Sequence, residues 1–544
     1  MINSGDKISS FCVTGQQVND NSFIKITPER VYVAAVAAKV AAVALGVLLV
    51  CNVIGLTVAA TSIMFVLSAS IGLSLYKNYL NQIASQIDLD HLGNPRGLSN
   101  QTFSTEAFPT QHSADTEVWR MKMIESAQHN IVISGNYCGE KAMMATLDKI
   151  EERLQKVPHL KCVIISSPKF LDEKIRTRLE QLKSRFQNNF SLVSSPDVVH
   201  IGNGLKFSTN HTKCTVIDFG KYFILGGSGI KDNFCGTGIS GYSKKQFLEE
   251  RGLENSYESD ASGASFWNKL LGSFRDMDFV FKTKGDNDEG CRIFSQSLLL
   301  AYRWEQYNKQ VNKGVFETAS VPLENTRQLG FCRDFSAVQS KKSVPDSVTV
   351  ELLKSQPKKL SEVATVVEGF EAQSLAKDVT TKIITSGPQD ATSNFGTAVL
   401  DQIKKAQKRL VINHMYFHPT EEIMQEIAKA AKRGVKVTVI SCNVFKDCPK
   451  SHYVFGARNK HNYMRLFESL TPEERQNVEV YNFEQKDIGT HKKVIIVDDS
   501  VLAGSSNLGY KSLVTASDDE INFLCDSEKF ADETWKVCQK DIEK

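Results

Sequence analysis

Gly489-Thr490-His491-Lys492-Lys493-Val494-Ile495-Ile496-Val497-Asp498 is the stretch that decides the fold. The apolar run after Lys493 is typical of a short strand that is buried on both faces. Side chains two positions apart on a strand share a face, so His491 and Lys493 point the same way. The turn at 504–507, Gly-Ser-Ser-Asn, offers backbone and hydroxyl donors to an anion. These groups suit phosphate chemistry, although a single copy would more often be a core strand that ends in a hydrogen-bonded histidine.

A second copy of this pattern lies 280 positions earlier in the chain. Residues 210–218 read Asn-His-Thr-Lys-Cys-Thr-Val-Ile-Asp, so His211, Lys213 and Asp218 repeat the spacing H-x-K-x-x-x-x-D, and a Gly-Gly-Ser turn follows at 226–228. Another pair of similar segments precedes the two copies, at 127–134 and 406–413. Two repeats in the same order and at nearly the same offset predict two related halves.

The paired motif resembles the signature of the phospholipase D superfamily, in which H-x-K-x-x-x-x-D and a glycine-containing turn occur twice. The resemblance covers roughly residues 105–540 and is strongest to membrane-anchored bacterial members, phospholipase D and cardiolipin synthase-type enzymes. It implies an α/β fold in which two homologous phospholipase D-like α/β sandwich halves form one pseudo-twofold body. It also implies one active site shared by the halves, without a cofactor or metal.

Composition limits the partners that the chain can have. A formal net charge of +3 over 544 residues provides no strongly basic surface, so we expect no nucleic-acid partner. The 12 cysteines form no C-x-x-C pair and no zinc-type spacing, which indicates small buried side chains in a reducing compartment.

The N-terminal region predicts a membrane anchor. Residues 1–30 are polar, which is typical of a flexible tail, and residues 31–77 are almost wholly apolar. Because about 20 residues cross a bilayer as a helix, this run is long enough for a transmembrane hairpin. One long tilted span and a buried helical hairpin are the alternatives. A hairpin leaves the tail and the catalytic body on one side, and Lys25, Arg30 and Lys77 favour the cytoplasmic face, with a host or inclusion membrane as another location.

The rest of the chain divides into a linker, two halves and a connector, at 78–115, 116–314, 315–378 and 379–544. Helical patterns alternate with apolar strands in both halves, which predicts central, largely buried strands. The insertion at 232–273 is either a mobile flap over the site or a surface excursion.

Two histidines that face one phosphate allow a displacement in two steps. Neutral imidazole forms a labile phosphoramidate, and a second imidazole protonates the leaving alkoxide and then activates water or an alcohol. By analogy with the superfamily we assign His211 as nucleophile and His491 as general acid, an order that is open to reversal. Lys213 and Lys493 would neutralise the equatorial phosphate oxygens. Further phosphate hydrogen bonds are expected from Ser505 and Asn507, and from Ser228 in the first half.

The aspartates of the motif, Asp218 and Asp498, belong to the predicted catalytic signature but lie seven residues after their histidines. On a regular strand they point to the opposite face, so we expect them to fix turns. Orienting each imidazole needs another carboxylate. The resemblance places it downstream, where Asp276 and Glu520 match and Asp278 is a rival to Asp276.

These residues support several functions. The leading hypothesis is a membrane-anchored phospholipase D that hydrolyses the distal phosphodiester of a glycerophospholipid to phosphatidate through a phosphohistidine intermediate. The alternatives are a phosphatidyltransferase of the cardiolipin-synthase type and another phosphodiesterase or nuclease of the superfamily. A catalytically dead membrane-tethered effector is a fourth, because Gly227 and Gly229 stand where the second turn has Ser505 and Asn507.

Overall fold

The computed structural model describes most of the chain beyond residue 101 and none of the residues before it. The described ranges are 102–136, 138–167, 171–195, 198–201, 204–207, 210–234, 273–285, 293–305 except 295, 299 and 303, 347–354, 360–373, 376–387, 392–443, 451–484 and 488–542. The predicted hairpin at 31–77 and most of the insertion at 232–273 lie outside them. Within these ranges no helix is both long enough and apolar enough to cross a bilayer.

The first half alternates strands and helices as its sequence predicts. Its strands are β1 Phe103–Pro109, β2 Asn130–Gly135, β3 Lys161–Ser166, β4 Phe190–Ser194, β5 Val198–Ile201, β6 Gly204–Phe207, β7 Lys213–Ile217, β8 Tyr222–Gly226, β9 Ser273–Arg275 and β10 Asp278–Thr283. Its helices are α1 Ser113–Ser126, α2 Glu140–Lys156 and α3 Glu173–Arg185. Further helical residues lie within 293–305.

The second half follows the same plan after short helices in the connector, α4 Val348–Lys354 and α5 Phe370–Gln373. Its strands are β11 Ala376–Ser386, β12 Arg409–His414, β13 Lys436–Cys442, β14 Val478–Phe483, β15 Ile488–Thr490, β16 Lys493–Val497, β17 Ser500–Gly504 and β18 Glu520–Asp526. Its helices are α6 Asn394–Lys405, α7 Glu421–Lys432, α8 Ser451–Glu468, α9 Pro472–Arg475, α10 Tyr510–Leu513 and α11 Glu528–Gln539.

One mixed sheet of 14 strands runs through both halves, in the order β14-β13-β12-β16-β17-β18-β11-β1-β10-β8-β7-β2-β3-β4. Each half supplies seven strands, and the two orders mirror each other about the antiparallel pair of β11 and β1. The sequence repeat is therefore a repeat of topology.

The sheet folds so that its two halves face each other. One apolar core contains side chains from both halves, among them Val216, Phe223, Val494 and Phe523, and β18 contacts β7 and β8. Two further cores pack helices on the outer faces, α1 to α3 in the first half and α6 to α8 in the second. The layers form the α/β sandwich that the sequence predicts.

The expected linker at 78–115 is wrong over its last part, because β1 Phe103–Pro109 is a central strand. It pairs with β10 on one side and β11 on the other. Its polar residues do not form the apolar pattern expected of a buried strand. Thr105 is nevertheless fully buried, and its hydroxyl shares a hydrogen bond of 2.7 Å with the hydroxyl of Thr381.

Candidate active site

The two His-Lys pairs lie at equivalent places in the sheet. Lys213 is the first residue of β7 and Lys493 the first residue of β16, and each histidine stands two residues earlier. All four side chains are buried; His211 and His491 are only 8% and 6% exposed. The apolar strands that follow anchor both pairs in the core.

The segments before the histidines cross between the halves. β15 pairs with β9 of the first half, so the backbone N–H of His491 donates to the carbonyl of Arg275 at 2.8 Å. The N–H of His211 donates to the carbonyl of Asp519 at 3.0 Å. The backbone of each histidine is thus hydrogen-bonded to the residue that precedes an acid of the other half.

These crossings give each imidazole a carboxylate from the opposite half. Nδ1 of His211 lies 3.0 Å from Oε1 of Glu520, and Nδ1 of His491 lies 2.6 Å from Oδ2 of Asp276. Both acids are the residues that the sequence singles out, but the structure pairs them crosswise. Each half therefore orients the imidazole of the other half.

Asp278, the rival to Asp276, is engaged elsewhere. Its carboxylate accepts hydrogen bonds from the hydroxyl of Thr116 at 2.7 Å and from the backbone N–H of Ser228 at 3.0 Å. Gly227 explains the altered first turn, because a Cβ there would come within 2.7 Å of the Asp276 carboxylate. The glycine leaves room for the acid.

Ser505 contacts an acid in place of the expected phosphate site. Its hydroxyl donates to Oε2 of Glu520, and the hydroxyl of Ser512 donates to Oε1 at 3.1 Å. Asn507, by contrast, keeps a buried Oδ1 that has no hydrogen-bond partner in the described part of the chain. Ser505 thus positions Glu520, and Asn507 is the better placed of the two for a ligand.

The two carboxylates differ in how readily they ionise. Burial opposes ionisation of Glu520, but His211, Lys213 and the Ser505 hydroxyl together lower the pKa of its carboxyl below the usual value. Burial raises the pKa of Asp276 to about 7, against the pull of Lys493. The carboxylate with two hydroxyl donors is therefore the one that stays charged.

The histidines show the matching asymmetry. Burial lowers the pKa of His211 from its ordinary value, and the charge of Glu520 opposes that shift. Burial, followed by the charge of Lys493, holds the pKa of His491 well below its ordinary value. Burial therefore favours the neutral form of both rings, and His211 has the partner that better stabilises an imidazolium.

The lysines flank the rings. Nζ of Lys213 donates to the carbonyl of His211 at 2.7 Å, and Nζ of Lys493 lies 3.0 and 3.1 Å from the two ring nitrogens of His491. Burial lowers the pKa of Lys213 to about 7, with Lys493 as the next cause, and burial lowers the pKa of Lys493 to about 8. An anion between the rings would restore their full charge.

Asp218 and Asp498 fix turns, as the strand periodicity predicts. The carboxylate of Asp498 accepts from the backbone N–H groups of 407, 408 and 409 at 2.7–2.9 Å. That of Asp218 accepts from those of 128, 129 and 130 at 2.7–3.1 Å. These donors belong to the second pair of repeated segments, so the two repeats seen in the sequence are bonded to each other.

His414 is a neighbour of the site that sequence reasoning missed. It ends β12 directly opposite Lys493, is 1% exposed, and its Nδ1 has no hydrogen-bond partner among the described residues. Gly135 occupies the equivalent place beside Lys213. The strand pairing that brings His414 to the site has no signal in the spacing of the motifs.

No group of histidine, cysteine, aspartate and glutamate side chains in the described ranges has the arrangement of a metal site. Nδ1 of each ring instead contacts a carboxylate, Glu520 for His211 and Asp276 for His491. The arrangement provides two imidazoles and two lysine amines whose full charge a bound anion would restore, which suits an anionic phosphodiester.

Comparison with known proteins gives matches over part of the chain. A family model described as "Cardiolipin synthase, PLD-like domain" matches residues 399–542. Cardiolipin synthase A of Pseudomonas entomophila (strain L48) is 30% identical over 161 residues, which is 29% of this chain and 30% of that protein. Cardiolipin synthase A of Proteus mirabilis (strain HI4320) is 31% identical over 155 residues, 28% of each chain. The match thus spans less than a third of these relatives.

Among solved structures, the phosphatidylserine synthase of Haemophilus influenzae Rd KW20 aligns with 82% of this chain and 89% of its own, at 15% identity and a TM-score of 0.48. The family match includes His491, Lys493 and Glu520, and it leaves out His211, Lys213 and Asp276. The crosswise contacts therefore link a matched segment to an unmatched one.

Proposed function

Because the chain belongs to the phospholipase D superfamily, we propose that it is a phosphatidyltransferase of the cardiolipin-synthase type that acts on glycerophospholipids. The observation that carries this proposal is the crosswise pairing of two buried imidazoles with two carboxylates. With each Nδ1 held by an acid, Nε2 is the atom that we assign to the phosphorus.

The reaction has two steps that balance without a metal. In the first, Nε2 of one histidine attacks phosphorus, the bond from phosphorus to the leaving alkoxide breaks, and the second histidine donates its proton to that oxygen. In the second, the hydroxyl of an acceptor gives its proton back to the second histidine while its oxygen attacks phosphorus. The P–N bond then breaks, and a new phosphodiester leaves. Lys213 and Lys493 offset the charge on the equatorial oxygens.

The charges favour His491 as nucleophile and His211 as general acid, the reverse of the order carried over from the superfamily. A nucleophile must be neutral, and burial with Lys493 keeps His491 in that form. A general acid must hold a proton, and the ionised Glu520 favours this on His211.

Transfer is favoured over hydrolysis by two observations. The relatives matched over residues 399–542 are cardiolipin synthases. The rings are also almost wholly buried, and limited access of water protects a phosphohistidine until an alcohol arrives. The acceptor would be a glycerol hydroxyl of phosphatidylglycerol. Hydrolysis to phosphatidate remains the second candidate, since water can replace the alcohol in the second step.

We further propose that the chain works at a membrane, through the apolar segment at 31–77. A bilayer location would bring two lipid substrates to one site. Carbonate extraction of membranes from expressing cells tests this, because a spanning segment retains the protein in the pellet. Recovery of the full-length chain in the supernatant would refute the anchor.

A product assay tests the function. The purified chain in detergent is given phosphatidylglycerol, phosphatidylcholine or bis(p-nitrophenyl) phosphate, each with and without EDTA. Cardiolipin and glycerol from phosphatidylglycerol support transfer, whereas phosphatidate with free head group supports hydrolysis. His211→Ala and His491→Ala should each remove turnover, because one site uses both rings; a strict requirement for metal, or residual turnover near the wild-type rate, would refute the mechanism.

A further inference from the structure

A buried ionic cluster around Asp541 lies next to the pair of His491 and Asp276. It contacts the segment that carries the histidine and the segment that carries the acid. Asp541, two residues beyond α11, places Oδ2 2.6 Å from Nζ of Lys492, and both side chains are wholly buried. Nδ2 of Asn413 donates to the same oxygen at 2.7 Å. Oδ1 forms an ion pair with Nε of Arg275 at 3.1 Å.

The two cations of this cluster are the chain neighbours of a catalytic pair. Arg275 immediately precedes Asp276 in the first half, and Lys492 immediately follows His491 in the second half. The carbonyl of Arg275 also accepts the backbone N–H of His491 at 2.8 Å. The Asp541 carboxylate therefore contacts both of the segments that carry His491 and Asp276, whose side chains lie 2.6 Å apart.

The other pair has a counterpart of different chemistry. Trp304, among the helical residues at 293–305, donates from Nε1 to Oδ2 of Asp519 at 3.1 Å. Asp519 immediately precedes Glu520, and its carbonyl accepts the N–H of His211. Each half thus has a residue near its end, Trp304 or Asp541, that contacts the residue just before the acid of the other half.

We propose that Asp541 is a positioning residue for the His491–Asp276 pair, and that Trp304 serves the Glu520–His211 pair in the same way. The inference rests on the proposed function, because it assigns Asp541 to the geometry of that site. Asp541 touches neither ring and acts through Arg275 and Lys492.

The pKa of His491 distinguishes this positioning role of Asp541 from simple structural support. The charge of Lys492 acts on Asp276. Neutralising Asp541 leaves the charges of Lys492 and Arg275 uncompensated beside the pair, which disfavours an imidazolium at His491. Among the described residues, the other titratable groups that act on or contact His491 are Asp276, Lys493, Lys213, His211 and His414. They are unchanged in the variant, so a shift in the titration of His491 reports on Asp541.

The experiment compares the wild-type chain with Asp541→Asn, Asp541→Glu and the control Glu533→Gln. Glu533 lies on α11 in a partly exposed ion pair with Lys536, eight residues before Asp541 in the sequence. Turnover of bis(p-nitrophenyl) phosphate gives kcat, KM and the pH profile. Side-chain ¹⁵N-histidine NMR, assigned with His491→Gln, gives the protonation of His491 without any substrate.

Asp541→Asn should lower kcat by about 10- to 100-fold, as outer partners of catalytic groups do, with KM changed less than about twofold. The His491 titration should move to lower pH, Asp541→Glu should regain part of the rate, and Glu533→Gln should match wild type. An unshifted His491 titration in a folded Asp541→Asn variant would overturn the proposal, whatever the rate. A wild-type chain that turns over no phosphodiester would refute the proposed function, and the NMR titration would still decide the role of Asp541.

Discussion

Nδ1 of His211, in the first half of the chain, lies 3.0 Å from Oε1 of Glu520, in the second half. The carboxylate is 2% exposed and also accepts hydrogen bonds from two serine hydroxyls. It fixes the orientation of the ring and stabilises positive charge on it.

Glu520→Gln should therefore reduce kcat by about 100-fold or more with little change in KM, because the amide keeps the shape and loses the charge. Steady-state kinetics on the full chain measure this. Glu528→Gln, on the exposed start of α11, is the control and should behave as wild type. A Glu520→Gln enzyme within threefold of wild type, or one impaired only in KM, would contradict the role.

The covalent intermediate should form on His491. Rapid acid or base quench with a ³²P-labelled lipid substrate, followed by peptide mapping under alkaline conditions, identifies the labelled histidine. His211→Gln should still form label on His491, because the nucleophile is intact, and the label should persist, because the variant lacks the base that activates the acceptor hydroxyl. Label on His211 in the wild-type enzyme would restore the order carried over from the superfamily.

The pH profile should be displaced to the acid side. The pKa values of both histidines are lowered, chiefly by burial, so the neutral nucleophile persists below its usual range. The protonated general acid is likewise lost at a lower pH than for a free imidazole, whose pKa is about 6.5. We expect kcat/KM, which reports the free enzyme, to be maximal below about pH 6.5. A further fall should follow near pH 7 to 8 as the lysines lose their protons.

Bis(p-nitrophenyl) phosphate carries the same charge across this range, so the profile reports the enzyme alone. Lys493→Arg keeps its charge at high pH and should weaken the alkaline fall. A maximum above pH 8 would contradict the lowered histidine pKa values.

Asp498 should matter for stability more than for the chemical step. Despite partial burial, the N–H donors of 407–409 lower the pKa of Asp498, so its contribution is present above the unfolded pKa of about 3.9 and is lost as pH falls through the folded value. Asp498→Asn should cost about 1–3 kcal/mol at pH 7, with kcat per folded molecule within about twofold.

Thermal unfolding from pH 3 to pH 7 checks this, with the exposed neighbour Asp499→Asn as control. The difference in stability between wild type and Asp498→Asn should narrow toward pH 3. A variant of normal stability with a hundredfold lower kcat would make Asp498 a member of the catalytic machinery.

The sequence predicts much of this molecule because its strongest signals are local. The apolar run after Lys493 and the spacing of His491 and Asp498 define a strand and its turn without any knowledge of the rest. The repeat then gives the second strand at Lys213. The alternation of helical patterns with apolar strands in both halves is a local signal as well, and the structure follows it.

What the sequence leaves open depends on contacts between distant segments. The pairing of Glu520 with His211 follows from a bridge between Asn210 and Asp519, which no spacing encodes. Ser505 looks like a phosphate donor because a hydroxyl in a turn has no visible partner until Glu520 is placed beside it. The sequence does not predict strand β1, because its buried Thr105 has a hydrogen-bond partner, Thr381, on a strand that comes much later in the chain.

The exchange of acids between the halves has a consequence for what the duplication provides. We expect a substitution at Asp276 to impair the histidine of the second copy, and one at Glu520 to impair the histidine of the first, so that neither copy can replace the other. A polypeptide severed between residues 315 and 378 would yield two fragments, each holding a histidine whose carboxylate had left with the other. Only the reassociation of the two fragments would bring each histidine back to its carboxylate.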